Sequence, residues 1–382
     1  MELPSGSSLP LGAGRRRGSE GVRERPWRRL EGDELADLPA RGKTQTPDRL
    51  EALESLRRFG AALPGARAAG RVVEVQRGAC LVELFPAPET SAAGLRPAVL
   101  RAAPRGLLEQ FDLGMACLAA AGDEVEVVAR PVQGAEECEA VLAEVKPRRS
   151  EFRRVHPSAR ALQTLAANVT QVAVVASAGE PPFRPGFVDR VWTCAIASNL
   201  PALLVCNKLD LGLRDEDREL LEVYRRLGLK VLETSTRTGS GLDLLRAALT
   251  GQATVLCGHS GVGKSSLVAV LAPEHAERVR VGEVSTRTQK GQHVTSHPRL
   301  YSFSGGWVVD TPGLREFTPA GVDRRNLWSF FPEIAACREA CAFPNCTHAV
   351  EAGCEVLKAV AEGRIHPRRH ESYLRLLHTL PT

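Results

Sequence analysis

The sequence predicts three folded units in series behind a basic tail. They are a five-stranded β-barrel of the OB type, an α/β P-loop domain whose motifs run in permuted order, and a small α-helical unit built round a cysteine cluster. Three observations carry this reading. Short β-rich runs crowd residues 67–147. Near-continuous apolar strands alternate with helices across 148–320. Soft metal ligands gather between Cys341 and Cys354, inside the last unit, 321–382.

The tail, 1–66, is rich in Gly, Pro, Ser and Arg, with Arg15, Arg16, Arg17, Arg23, Arg25, Arg28 and Arg29 and few large apolar side chains. Such a segment cannot bury enough apolar surface to order itself. It reads as disordered, either simply solvated or an RNA-binding arm. A short helix is expected at 48–59. In the barrel unit, runs at 71–75, 79–84, 97–100, 124–128 and 140–145 are β-rich, and Gly78 and Gly122-Asp123 punctuate them. Five short strands in so few residues suit a small barrel, with the OB-fold the natural candidate. A basic hinge follows, with Lys146, Arg148, Arg149, Arg153 and Arg154.

From 168 to 320 the apolar runs at 172–176, 202–206, 230–232, 253–257 and 307–310 alternate with helical stretches. Runs of that kind fit a parallel sheet covered on both faces. The full chain of 382 residues carries a net charge of +5 and is 43 % hydrophobic, so most of it is expected to be globular. No apolar run reaches the ~20 residues of a membrane span. The N-terminus lacks the basic-then-apolar pattern of a signal peptide, so a cytoplasmic protein is expected. Of ten cysteines, Cys80, Cys117, Cys138, Cys194, Cys206 and Cys257 are scattered and read as small buried hydrophobes.

Gly258-His259-Ser260-Gly261-Val262-Gly263-Lys264-Ser265-Ser266 stands between a strand and a helix, the context that confirms a phosphate loop. Its glycines let backbone N–H groups close round phosphates at a helix N-terminus. Lys264 is expected to reach the β- and γ-phosphates, and the Ser265 hydroxyl to ligate magnesium. Asp310-Thr311-Pro312-Gly313 ends a strand. Asp310 would hold magnesium, and the Gly313 amide would face the γ-phosphate.

Asn207-Lys208-Leu209-Asp210 follows another buried strand. A carboxylate at 210 can accept from guanine N1–H and the 2-amino group together, a donor pair that adenine lacks, so Asp210 argues for GTP over ATP. Asn207 and Lys208 would tether and flank the base, and Ser235 and Thr236 would add contacts. In an ordinary small GTPase the phosphate loop leads and the guanine motif comes near the end. Here the guanine motif leads, which reads as a circularly permuted GTPase domain. In the loop after the phosphate-loop helix, Thr295 is a second hydroxyl for magnesium. His293 is either an ordinary loop histidine or the group that positions the attacking water. Leu314 stands where a water-orienting glutamine is found in Ras-type enzymes.

Cys341, Cys346, His348 and Cys354 offer three thiolates and an imidazole, a set suited to tetrahedral, structural zinc. Cys337 is a spare that either competes as a ligand or packs in a helix. The basic stretch with Arg364, His366, Arg368, Arg369, His370 and Arg375 is either a solvated helix face or an RNA contact.

Taken together, Pro147-Arg148-Arg149-Ser150, Ala167-Asn168-Val169, the three nucleotide motifs and the cysteine spacing resemble the ribosome-small-subunit-dependent GTPase A family, from about Ala69 to Leu377. The resemblance implies an OB-fold, a permuted GTPase domain and a zinc domain. It implies late maturation of the small ribosomal subunit through contact with its rRNA, GTP hydrolysis to GDP stimulated by that subunit, and a catalytic role for His293. A monomer is expected. The sequence departs from the family at Gly291-Gln292-His293-Val294-Thr295-Ser296, where the usual run is Gly-Arg-His-Thr-Thr-Thr; Val294 has no oxygen, which leaves Thr295 as the magnesium candidate. Two other readings fit some of the residues: a GTP-binding RNA-docking module with little turnover, and a P-loop ATPase with a zinc module.

Overall fold

The computed structural model describes residues 49–61, 65–76, 78–85, 99–104, 118–129, 140–155, 162–275, 298–311 and 318–380. The tail reading for 1–48 and the expected roles of His293, Thr295 and Gly313 lie outside these. Helix α1 (Arg49–Ala61) precedes strands β1 (Arg67–Gln76), β2 (Ala79–Leu84), β3 (Val99–Ala103), β4 (Glu124–Ala129) and β5 (Ala140–Val145). Their order is β1-β2-β3-β5-β4, and β4 pairs back onto β1, which closes the barrel. Alternate side chains fill it, among them Val72, Val82, Val125, Val127 and Leu142, and Leu56 of α1 caps the end.

Next come β6 (Glu151–Val155), a strand where the sequence suggests a basic hinge, and β7 (Leu162–Ala167). Phe152 is fully buried between them and the next layer. With β14 (Thr318–Pro319) they make a separate three-stranded sheet.

The P-loop domain contains β8 (Gln171–Ser177), α2 (Pro185–Ala197), β9 (Ala202–Asn207), α3 (Asp215–Arg226), β10 (Lys230–Glu233), α4 (Leu242–Leu249), β11 (Ala253–Gly258), α5 (Lys264–Leu271), β12 (Arg299–Phe303) and β13 (Gly306–Asp310). The sheet order is β10-β9-β8-β11-β13-β12, parallel except for the β12–β13 hairpin. Strand parity divides its core. Val172, Val174, Leu204 and Val255 face α2 and α3, while Ala173, Val175, Leu203 and Leu256 face α4 and α5. Residues apolar on both faces are what made these strands readable in the sequence.

The barrel is joined to this domain by polar contacts. Arg148 Nε and Nη2 each donate to the Asp123 carboxylate at 2.7 Å, and Arg148 Nη1 donates to Thr164 at 3.0 Å. Asn168 Nδ2 donates to Gly122 O at 3.0 Å. Gly122 has φ +93°, and a Cβ there would stand 2.2 Å from Ala167 O, so the joint requires glycine. The hinge cations are thus partly spent inside the molecule: the Arg148 side chain is only 5 % exposed. Beyond β14 the C-terminal unit packs α6 (Pro332–Arg338), α7 (Glu355–Ala361) and α8 (Pro367–Thr379) round Leu327, Phe331, Ile334, Tyr373 and Leu376. Among the described residues no helix is long and apolar enough to cross a membrane.

Candidate nucleotide site and metal centre

The permuted order puts the guanine motif at the end of β9, the phosphate loop at the end of β11 and Asp310 at the end of β13. In the sheet β9 and β11 flank β8, and β13 lies beside β11. All three motifs therefore open at the carboxyl edge of one parallel sheet, where ligands of open α/β folds sit.

Two side chains tie the motifs together. Asn207 is fully buried; its Nδ2 donates to Val262 O at 3.1 Å, and its Oδ1 accepts from Thr234 Oγ1 at 3.2 Å. One amide thus joins the guanine motif, the phosphate loop and the 234–236 turn. Lys208, in left-handed backbone at φ +62°, donates from Nζ to Glu180 O at 2.7 Å. That lays its stem across the mouth of the site.

Asp210 accepts from Ser235 Oγ and lies 2.9 Å from Arg237 Nε. The Ser235 hydrogen bond, with smaller help from Arg237 and Lys208 against a desolvation effect, holds its carboxyl below the usual range, so it is an ionised acceptor. Thr236 is half-buried beside it. Arg237 follows directly on Ser235 and Thr236 but was not singled out in the sequence, because its role depends on the turn that brings it back over Asp210.

In the phosphate loop Gly261 and Gly263 have positive φ. Gly258 is packed so closely that a Cβ would meet Val175 O at 2.6 Å. His259, Ser260, Val262 and Lys264 complete the loop, and Ser265 and Ser266 stand in the first turn of α5. Lys264 Nζ donates to Gly258 O at 2.8 Å and His259 O at 3.3 Å. Burial lowers its pKa, and the charge of Asp310 opposes that. Thr311 Oγ1 donates to Leu256 O at 2.7 Å and fixes the start of the sensor segment to β11. Phe187 of α2 lies against His259 with ring centroids 4.2 Å apart. No sequence pattern pointed to Phe187, because its partner is set by tertiary packing alone.

In the C-terminal unit the ligand atoms of Cys341, Cys346, His348 and Cys354 all lie within 4.8 Å of one another. Three of the four residues are buried. His348 takes left-handed backbone at φ +62°, which turns its Nδ1 toward the Cys341 and Cys354 sulfurs. Cys354 also caps α7, accepting from Leu357 N. Burial pushes the Cys346 thiol up to about 12, and it raises Cys354 as well. Thiolates are held in such a place by a bound cation. Cys337 lies outside the cluster, on α6, with its sulfur accepting from Arg364.

Comparison with known proteins adds to this geometry. The family model RsgA GTPase matches residues 145–319. The "Small ribosomal subunit biogenesis GTPase RsgA" of Chlorobaculum parvum is 41 % identical over 271 residues, which span 69 % of this chain and 86 % of the relative. The chain belongs to the RsgA GTPase family. It is accordingly a GTPase, and the motif order marks a circularly permuted one. Among solved structures, YjeQ from Thermotoga maritima aligns with a TM-score of 0.56 at 26 % identity, covering 82 % of this chain and 98 % of that one. YloQ, described as a circularly permuted GTPase, shares the fold with a TM-score of 0.54 at 24 % identity, covering 82 % and 94 %. The RsgA-type fold thus extends over the barrel and the C-terminal unit as well as the P-loop domain.

Proposed function

We propose that this chain hydrolyses GTP in complex with the small ribosomal subunit, acting in late assembly of that particle, with turnover stimulated by the subunit and coupled to release. The observation that carries the reading is the Asn207 bridge. It fixes a guanine-selecting carboxylate, Asp210, and a phosphate loop to one another through a single buried amide. The reading is further supported by the printed name of the Chlorobaculum parvum relative.

The roles divide as follows. Asp210 accepts from guanine N1–H and the 2-amino group, Asn207 and Lys208 flank the base, and Ser235 and Thr236 shape the turn above it. Gly258, His259, Ser260, Gly261, Val262, Gly263, Lys264, Ser265 and Ser266 enclose the phosphates, with Gly313 facing the γ-phosphate. Ser265, Thr295 and Asp310 supply the oxygens suited to magnesium, which neutralises charge on the β- and γ-oxygens when bound. Asp310 is placed for that task, because it ends β13 beside β11, whose end carries the phosphate loop that leads into Ser265. His293 positions the attacking water.

Cys341, Cys346, His348 and Cys354 hold one structural zinc. Zinc–sulfur and zinc–nitrogen bonds of about 2.3 and 2.0 Å in a tetrahedron would require about 3.8 Å between sulfurs and about 3.5 Å from sulfur to nitrogen. The corresponding distances here are 4.0 Å for Cys341–Cys354 and 3.6 and 3.5 Å from His348 Nδ1 to those sulfurs. Residues 67–147, 148–320 and 321–382 act as barrel, GTPase and zinc units of a cytoplasmic monomer, and of the expected tail, 1–66, the part in α1 belongs instead with the barrel, since Leu56 enters its core. The barrel and zinc units grip rRNA.

The test is GTP turnover by the purified protein with and without small subunits, wild type beside His293→Ala. Subunit-stimulated turnover that collapses in the variant is expected. Turnover indifferent to both would instead favour a GTP-binding docking module.

A further inference from the structure

Helix α2 is held from two sides. On one side Phe187 lies against His259 of the phosphate loop. On the other, Asp189, only 1 % exposed, pairs with Arg369 of α8. Arg369 is equally buried, and its Nε donates to Glu333 Oε1 of α6 at 2.6 Å. Its guanidinium stands 4.6 Å from the Phe331 ring centroid, 5.1 Å from Trp192 and 5.4 Å from Tyr224. Tyr224 OH of α3 donates to Asp189 Oδ1 at 2.7 Å. One arginine inside an aromatic box therefore spans a carboxylate of the GTPase domain and a carboxylate of the C-terminal unit. Such a cluster contributes little net stability compared with apolar residues of equal volume, but removing one member leaves a buried charge unpaired. It fits one arrangement of α2 against α8 and penalises others.

We propose that Arg369 and Asp189 are positioning residues for the phosphate loop: they fix α2 against the C-terminal unit and so set where Phe187 supports His259. Residues two apart on a helix point to different faces, which lets Phe187 meet the loop while Asp189 meets α8. The C-terminal unit then holds the nucleotide site in shape through one helix. Nucleotide affinity depends on the loop's N–H groups staying aimed at the phosphates. The inference rests on the reading of that loop as the GTP site.

The test measures the Kd of a fluorescent GDP analogue and the melting temperature on the same samples of full-length protein. The variants are Arg369→Met, Phe187→Leu, the double variant, and Arg368→Gln. Arg368 leaves from the same helix and also reaches the GTPase domain, but it pairs with Asp217 of α3, at 2.8 Å, and not with α2. Arg369→Met and Phe187→Leu should each weaken GDP binding about 3- to 10-fold. The double variant should be no weaker than the worse single one, because both act through one contact, and Arg368→Gln should bind as wild type does. Single variants that bind GDP normally, or effects that multiply in the double variant, overturn the proposal; a merely structural role for the clasp gives the second result. Should Arg369→Met fail to fold, Glu333→Gln replaces it with the same two outcomes. A wild type that does not bind GDP overturns the GTP-site reading itself, whereas a wild type that binds beside indifferent variants overturns this inference alone.

Discussion

Gly263→Ala tests whether the guanine motif and the phosphate loop are one structural unit. Gly263 has φ +94°, and a Cβ there would stand 2.4 Å from Asn207 Nδ2. Left-handed backbone costs an L-residue about 1–2 kcal/mol. To make room, Asn207 must abandon Val262 O in a place where it is fully buried. A buried donor that loses its acceptor costs about 1–3 kcal/mol. The sum is about 2–5 kcal/mol. Gly228→Ala is the control: its φ is +89°, but nothing lies within 4 Å of its Cβ position. Only the backbone part, about 1–2 kcal/mol, applies there. Urea unfolding of both variants should therefore differ by about 1–3 kcal/mol. GDP binding should weaken in Gly263→Ala and hold in Gly228→Ala. Equal stabilities and equal affinities for the two would refute the claim that Asn207 couples the motifs.

Other substitutions probe the rest of the site. Asp210→Asn replaces a two-oxygen acceptor with a group that also donates, so competition binding should show preference moving from guanine toward xanthine nucleotides, whose C2 oxygen can accept; undiminished guanine preference would remove Asp210 from base recognition. Cys354→Ser removes both a ligand and the cap of α7, and metal analysis should fall from one zinc per chain to none while proteolysis begins within 321–382. His293→Ala should lower subunit-stimulated turnover about 100- to 10,000-fold with GDP affinity intact. Arg148→Met strands the buried Asp123 carboxylate and should cost about 3 kcal/mol or more in unfolding experiments, without changing the salt dependence of subunit binding.

How far the sequence alone could be read depended on where the partners lie. Strands β8, β9, β11 and β13 were legible because both faces are apolar, and the phosphate loop was legible because its chemistry is local to one strand–turn–helix. The barrel strands could be counted, but β1 runs longer at both ends than its β-rich core, since its N-terminal half pairs with β4 rather than being marked by its own residues. The β6–β7 pair is hard to read because Arg153 and Arg154 mask β6 and only the second half of β7 is apolar; Phe152, Leu165 and Ala166 anchor it in the core. Strand β12 was missed because its pairing with β13 and, at one residue, with β1 is tertiary. The basic stretch at 364–375 was misleading in the same way. Arg369 and His370 are buried, and Arg368 pairs with Asp217, so three members of an apparent RNA face serve the interior. A linear run of cations does not indicate which of them meet carboxylates from another unit.

The permutation gains a mechanical sense from these joints. Asp310 ends β13, and the next described element, β14, pairs antiparallel with β6, Thr318 opposite Val155 and Pro319 opposite Arg154. Strand β6 in turn follows the Arg148–Asp123 lock on the barrel. The chain leaving the γ-phosphate sensor is therefore hydrogen-bonded to the chain arriving from the barrel before it enters the C-terminal unit. That unit returns to the phosphate loop through α8 and α2. An ordinary motif order would place the sensor in mid-domain, with no flanking unit one strand away. Here both flanking units abut elements of the nucleotide site, so a change at the γ-phosphate has a short, packed route to each, which is what the proposed release of rRNA by both units would require.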